Sequence, residues 1–237
     1  MPVAVHGRPE EWPARSLLGM LPLPARRELL GRGAEVRFDA GDVLLREGWD
    51  DRHVLLLLSG VVKVTATVEN GQTSLLAVRA AGDIVGEMAA MDGAPRSATV
   101  TACGPLTARR ISADTLRELL LSRPEIFVAL TGIIANRLRS ANRRRLDFRG
   151  YPARVRLARL LVELADCYGT DRADGVEIGC SLTQPELATM VGAAETTIHK
   201  VLSELRKDVL LKTGYRTTTI LDLPRLTGLA ELSSGPP

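Results

Sequence analysis

The sequence predicts an α+β chain in three parts: an antiparallel β-roll (jelly roll) over residues 12–124, one long helix over 125–149, and a winged helix-turn-helix over 150–228. Three observations carry that prediction. Between Glu35 and Ile111, short β-branched or apolar runs alternate with turn signals; from Glu125 a helical pattern holds without a Gly or Pro between Ile133 and Arg149; and residues 184–202 read as two helices joined at Gly192.

The elements follow in order. Trp12, Leu17, Leu18, Leu21, Leu29 and Leu30 fall at near-helical spacings interrupted by Pro22 and Pro24, which predicts two short leading helices. Strands are expected at 36–38, 43–45, 54–58, 61–68, 73–78, 98–102 and 106–111. They are separated by Ala40-Gly41-Asp42, Ser59-Gly60, Glu69-Asn70-Gly71, Ala81-Gly82-Asp83 and Cys103-Gly104-Pro105. Strands this short and evenly spaced mean a roll. A short helix is expected over 112–122, and Pro124 opens the long one. Along the long helix Leu130, Ile134, Leu138, Ala141 and Phe148 form one stripe, interrupted by Arg145, which reads as a dimer seam. Gly150-Tyr151-Pro152 ends the helix and reads as a hinge.

The composition bounds the function. The chain has 237 residues, 45% of them hydrophobic, so a sizeable core is feasible. No run approaches the roughly 18 to 20 apolar residues that span a bilayer, and residues 1–15 lack the apolar stretch of a signal peptide, so a cytoplasmic protein with no membrane partner is expected. Cys103, Cys167 and Cys180 are odd in number and form no Cys-x-x-Cys pair, which suggests neither disulfides nor zinc. His6 and His53 have no ligand-like neighbours, so no metal or haem is assigned. Residues 137–237 carry a net charge of +4 against −1 for residues 1–136, a bias that suits a polyanionic partner. Aromatics at 3% argue against stacking on single strands.

Gly86-Glu87-Met88-Ala89, followed nine positions after Glu87 by Arg96-Ser97-Ala98, is the most informative segment. Arg96 offers a planar fork for phosphate oxygens, Ser97 a hydroxyl, Glu87 an acceptor for a ribose hydroxyl, and the amides near Gly86 and Ala98 permit close approach. This suits a small anionic sugar phosphate. Neither a nucleophile nor a general base accompanies it, so no catalytic residue is assigned.

In the C-terminal part Thr183 and Glu186 form a capping box, Pro185 fits the first turn, and Gly192 supplies the turn between helices. Leu187, Ala188, Val191, Ile198, Val201 and Leu202 are apolar where two helices must pack. Glu195, Thr196, Thr197, His199 and Lys200 are left facing outward at the start of the second helix, and together with Thr183 they are the candidate DNA contacts. Residues 209–211 and 217–221, around Lys212-Thr213-Gly214-Tyr215-Arg216, read as a hairpin wing.

The segment 86–98 resembles the phosphate-binding cassette of cyclic-nucleotide-binding domains. The whole order of elements, from about residue 15 to 225, is similar to that of the cAMP receptor and fumarate/nitrate-reduction (Crp/Fnr) regulators. The resemblance implies a homodimer paired through its long helices, cAMP or another cyclic nucleotide as effector, and RNA polymerase as a partner. It also implies double-stranded DNA bearing an inverted repeat, with half-sites about one helical turn apart. No cofactor is implied. The iron–sulfur sensors of the family use N-terminal cysteines, and here no cysteine precedes Cys103.

Departures from the pattern sharpen the expectations. Alignment on Arg137-Leu138 puts Ala141 and Asn142 where cAMP-responsive members carry a Thr-Ser pair against adenine, so Asn142 alone is left to meet the base. Arg137, Arg139, Arg143, Arg144 and Arg145 crowd the same helix and would repel in a parallel dimer unless an anion compensates; a second phosphate-bearing ligand fits that crowding. Where cAMP-type readers begin their recognition helix with Arg-Glu-Thr, this chain has Glu195-Thr196-Thr197, without the guanine-reading Arg. Alternative readings are a constitutive DNA binder with a vestigial pocket and a cyclic-nucleotide sensor acting through protein contacts. An enzyme lacks its catalytic groups.

Overall fold

The computed structural model describes residues 12–231 except 68, 70, 215 and 216. His6, Val68, Asn70, Tyr215 and Arg216, each named in the sequence reading, lie outside the described residues. Two compact units divide between Arg137 and Leu138.

The N-terminal unit opens with α1 (Leu17–Met20) and α2 (Leu23–Leu30), the first capped by Ser16, whose hydroxyl accepts from the Gly19 amide. Strands β1 (Ala34–Phe38), β2 (Val43–Leu45), β3 (Val54–Leu57), β4 (Val61–Thr67), β5 (Thr73–Ala80) and β6 (Ile84–Val85) follow. Then come α3 (Glu87–Asp92), β7 (Thr99–Ala102), β8 (Leu106–Ile111), α4 (Ala113–Ser122) and α5 (Pro124–Gly150). The strands form two antiparallel four-stranded sheets, ordered β1-β8-β3-β6 and β2-β7-β4-β5, which is the expected roll.

β3 shows why the sequence folds this way. All four of its residues are apolar and buried, a pattern with no polar alternation. Successive side chains point to opposite faces of a strand. Leu55 and Leu57 enter the core between the sheets with Leu45, Val62, Val85 and Val100. Val54 and Leu56 enter a second core against Leu17, Leu29, Leu116, Leu119, Ile126 and Leu130. A continuous apolar run is therefore what a strand covered on both faces requires.

The stripe expected to be a dimer seam divides. Leu130 belongs to the second core of its own unit, and Leu138 is exposed. Phe148 packs against Gly192 within the C-terminal unit. The part of the stripe left uncovered is thus shorter than the periodicity suggested, because the first turns of α5 are committed to the core of the roll through Ile126, Ala129, Leu130 and Ile133.

The C-terminal unit contains the rest of α5, then α6 (Ala153–Tyr168), β9 (Gly169–Arg172), β10 (Gly175–Ile178), α7 (Gln184–Val191), α8 (Glu195–Lys207), β11 (Leu211–Gly214), β12 (Thr217–Ile220) and α9 (Leu223–Glu231). The wing is larger than expected. Residues 169–178 form the hairpin β9–β10, and β10 pairs with β12 to complete a sheet ordered β11-β12-β10-β9. β9 (Gly169-Thr170-Asp171-Arg172) has no apolar side chain and β10 only Val176 and Ile178, which leaves little apolar alternation to detect. The first wing strand starts at Leu211 rather than residue 209, because Val209 turns at φ 57 after α8.

Candidate functional site

The segment 86–98 is built around two left-handed glycines. Gly86 (φ 84) joins β6 to α3, and Gly93 (φ 72) ends α3. At Gly86 the need is doubled, since an added Cβ would lie 2.6 Å from Arg96 Nη1 and 3.0 Å from the His53 carbonyl oxygen. The chain then returns through Pro95 to Arg96, whose amide donates to the Trp49 carbonyl (2.9 Å) and whose carbonyl accepts from the Gly48 amide (2.8 Å). The loop between β2 and β3 is thereby fastened to the cassette.

Glu87 and Arg96 are both buried, but they are not partners of each other. Arg96 donates from Nε to Asp51 Oδ1 (2.6 Å), from Nη1 to the Gly86 carbonyl (2.8 Å) and from Nη2 to the His53 carbonyl (2.5 Å). Glu87 Oε1 accepts from Arg137 Nη1 (2.7 Å), and Arg137 Nη2 donates to the Ile84 carbonyl (2.8 Å). Asp83 adds a carboxylate 3.8 Å from the same guanidinium. Burial pushes the Asp83 carboxyl above the ordinary carboxylate range, with Arg137 and Arg79 pulling the other way. Burial likewise holds the His53 imidazole below its ordinary value, and Asp51 opposes it.

The remaining cassette residues divide by exposure. Ser97 and Met88 are exposed, with Ser97 Oγ 3.8 Å from Met88 Sδ, whereas Ala89 is buried and Ala98 half-buried. Ala141 and Asn142 are exposed on α5, beyond the point where the N-terminal unit ends. Arg137, Asp51 and His53 were missed as site residues. Asp51 lies 45 positions from Arg96 and Arg137 lies 50 from Glu87, so no local motif contains them. Arg137 had one available signal, its place one helical turn before Ala141. The arginine crowding on α5 is relieved in part within the chain: Arg137 is held as above, and Arg144 Nη1 lies 3.4 Å from Glu163 Oε1.

The candidate nucleic-acid face is built with equal economy. Thr183 accepts from the Glu186 amide while Glu186 accepts from the Thr183 amide (2.7 Å), so the capping box is closed and the Thr183 hydroxyl is engaged in it. Gly192 (φ 65) makes the turn, and its missing Cβ leaves room for the Phe148 ring, which such an atom would meet at 2.8 Å. Ile198, Val201, Leu202 and Leu205 bury one face of α8. Glu195, Thr196, Thr197, His199 and Lys200 are all exposed on the other.

Ion pairs fix α8 to its neighbours. Arg154, at the start of α6, donates to Asp208 (2.6 Å) and Glu204 (3.2 Å) at the end of α8. The corner at 150–152 is braced as well. Arg159 donates to Asp147 (2.6 Å) and to the Ala230 carbonyl (2.7 Å) and stacks on Tyr151 at 3.7 Å, and Arg156 donates to the Gly192 carbonyl (3.2 Å). Such bracing does not suit the hinge expected at Gly150-Tyr151-Pro152.

Among the described residues no three His, Cys, Asp or Glu side chains cluster as a metal site, and no helix is long and apolar enough to cross a membrane. What the cassette can do is bind by charge and hydrogen bonding.

Residues 35–123 match the cyclic nucleotide-binding domain family, and residues 155–229 match the Crp-like helix-turn-helix domain family. The CRP-like cAMP-activated global transcriptional regulator of Mycobacterium tuberculosis is 31% identical over 193 residues, which is 81% of this chain and 85% of that protein. The cAMP-activated global transcriptional regulator CRP of Haemophilus influenzae is 26% identical over 78% of this chain and 82% of its own. Among solved structures, a CRP/FNR family transcriptional regulator of Thermus thermophilus superposes with a TM-score of 0.70 at 27% identity, covering 85% of this chain and 100% of that one. The c-di-GMP responsive global regulator CLP of Xanthomonas campestris shares the fold at a TM-score of 0.70 and 20% identity, over 85% of this chain and 100% of its own.

Proposed function

We propose that this chain, which belongs to the Crp/Fnr family of transcription regulators, is a homodimer that a cyclic nucleotide, cAMP first, converts to its DNA-reading state. The coarser statement needs no proposal: it is a ligand-responsive DNA-binding regulator and not an enzyme. The division of labour we assign is ligand binding by residues 12–124, pairing by 125–149 and DNA reading by 150–228. Its place of action is the cytoplasm, where RNA polymerase works on the same DNA.

One observation carries the ligand reading. The cassette's Glu87 and Arg96 are buried on separate partners, with Glu87 on Arg137 and Arg96 on Asp51 and two carbonyls, which is how a binding site is built and not how a surface ion pair behaves. Arg96 and Ser97 take the cyclic phosphate. Glu87 takes the ribose hydroxyl, with the amides at Gly86, Met88, Ala89 and Ala98 close by, and Asn142 meets the base. The Mycobacterium tuberculosis relative is named as cAMP-activated, which supports cAMP as the first candidate.

Gating requires the ligand to bind the DNA-competent dimer better than the idle one. A shift from 1:99 to 99:1 needs a differential of about 5.5 kcal/mol, which two phosphate-clamped sites share. Arg137 is the residue through which we route that coupling, because it grips Glu87 from the last position of the N-terminal unit, on the helix that continues into the other. In DNA, Lys200 takes a guanine or a phosphate, Glu195 accepts from a cytosine amine, and Thr196 meets a thymine methyl. Thr197 and His199 line the same face, and Thr183 sits at the start of α7.

Isothermal titration with cAMP, cGMP and a cyclic dinucleotide tests the reading. Saturable binding at one site per chain, lost in Arg96→Ala and weakened in Ser97→Ala, is expected. Ser97 is exposed and its hydroxyl makes a long contact to Met88 Sδ (3.8 Å), so its variant separates ligand contact from folding better than a buried position does. Absence of binding by all three ligands favours the second reading, a constitutive DNA binder, to which the replacement at Ala141 also points.

A further inference from the structure

Three of the five N–H donors on the Arg96 guanidinium are already used, and the side chain is 2% exposed. Two of the acceptors are backbone carbonyls, of Gly86 beside β6 and of His53 beside β3. The third is the carboxylate of Asp51, on the loop before β3, and that side chain is 34% exposed. Asp51 is itself held at both oxygens, since its Oδ2 lies 3.2 Å from His53 Nδ1. The anion that the charge of Arg96 would draw in is supplied by the chain itself.

Building on the cyclic-nucleotide reading above, we propose that Asp51 is an internal competitor for the ligand's phosphate and sets the concentration at which the pocket fills. An incoming phosphodiester meets a neutral Arg96–Asp51 pair, not a free cation. It must displace the carboxylate from Nε or share one guanidinium with it, which puts two anions on one cation. Of the groups around Arg96, Asp51 is the one suited to this role. Glu87 is committed to Arg137 at 2.7 Å, and the two carbonyls belong to backbone directly adjoining the paired strands β6 and β3. Those carbonyls also hold the fork in orientation without help from Asp51, so removing the carboxylate's charge frees the cation and keeps its aim. Asp51 is therefore a specificity-determining residue that acts through Arg96, and it discriminates against ligands whose remaining contacts are too weak to overcome it.

Asp51→Asn tests this, because the amide oxygen still accepts from Nε while the charge is gone. Wild type, Asp51→Asn and Arg96→Ala are titrated with cAMP and cGMP, after thermal melts establish that each is folded; Asp51→Ala serves if the Asn variant fails to fold. Tighter binding by Asp51→Asn, by roughly tenfold or more given the size of charge effects at this range, is the expected result. Binding by the variant where wild type shows none supports the proposal equally. Equal or weaker binding by a folded Asp51→Asn protein overturns the competitor role and leaves the ligand reading standing. Silence from wild type and the Asp51 variant together overturns both.

Discussion

The cassette around Arg96 and the start of α8 are both candidate binding surfaces, yet they are built in opposite ways. In the cassette the two candidate ligand-binding charges are buried and already bonded to the chain: Arg96 to Asp51, Glu87 to Arg137. On α8 the groups Glu195, Thr196, Thr197, His199 and Lys200 stand in water, and only the far side of the helix is packed. A ligand entering the first must exchange one set of internal partners for another, whereas DNA meeting the second needs only to displace solvent and counterions. The first site is therefore suited to switching and the second to reading.

That contrast is sharpened most by Arg96→Ala. Removing the buried Arg96 side chain leaves two carbonyls and the part-exposed Asp51 without their donor, so a loss of about 3 kcal/mol of stability is expected in urea titration. An unchanged midpoint would break the distinction. Gly86→Ala comes next, with about 1–3 kcal/mol lost through the left-handed backbone and the collision with Arg96 Nη1. Lys200→Ala is the mirror case. It should weaken binding to a preferred duplex by about 1–3 kcal/mol and leave stability within about 0.5 kcal/mol of wild type.

Smaller effects bear on the same division. Val209, a β-branched residue at φ 57, carries strain just beyond α8, and Val209→Gly should raise stability by up to about 1 kcal/mol in thermal melts. If that gain comes with weaker DNA binding, the strained turn helps to set the wing. In the N-terminal unit, burial makes the His53 imidazole harder to protonate in the folded state than in the unfolded chain. As pH falls below the ordinary imidazole value of 6.5, the unfolded chain takes up a proton that the folded one resists, so stability declines on acidification. His53→Gln should flatten that part of the profile; a decline identical to wild type would assign it to other groups.

Most of the architecture is legible in the sequence because its signals are local. Turn residues mark seven of the eight roll strands, all but the two-residue β6, the Thr183/Glu186 capping box marks α7, and the cassette lies within a 13-residue window. What escaped is non-local or polar. The hairpin β9–β10 carries Thr170, Asp171, Arg172 and Glu177 and only two apolar side chains, Val176 and Ile178, too few for an alternation to be read. The partners of Glu87 and Arg96 lie in other elements, and only folding brings Arg137 and Asp51 to them. Periodicity also joined into one stripe helix turns with different surroundings, since it does not distinguish those that face their own core: Leu130 does and Leu138 does not.

The central claim is that ligand occupancy of the cassette controls DNA reading by α8. The most direct measurement is the affinity for a duplex selected from a random pool, taken across a salt series with and without saturating cAMP. The account predicts tighter binding with ligand at every salt concentration, and no ligand effect in Arg96→Ala. Identical affinities with and without ligand, in a protein shown by titration to bind cAMP, would contradict it.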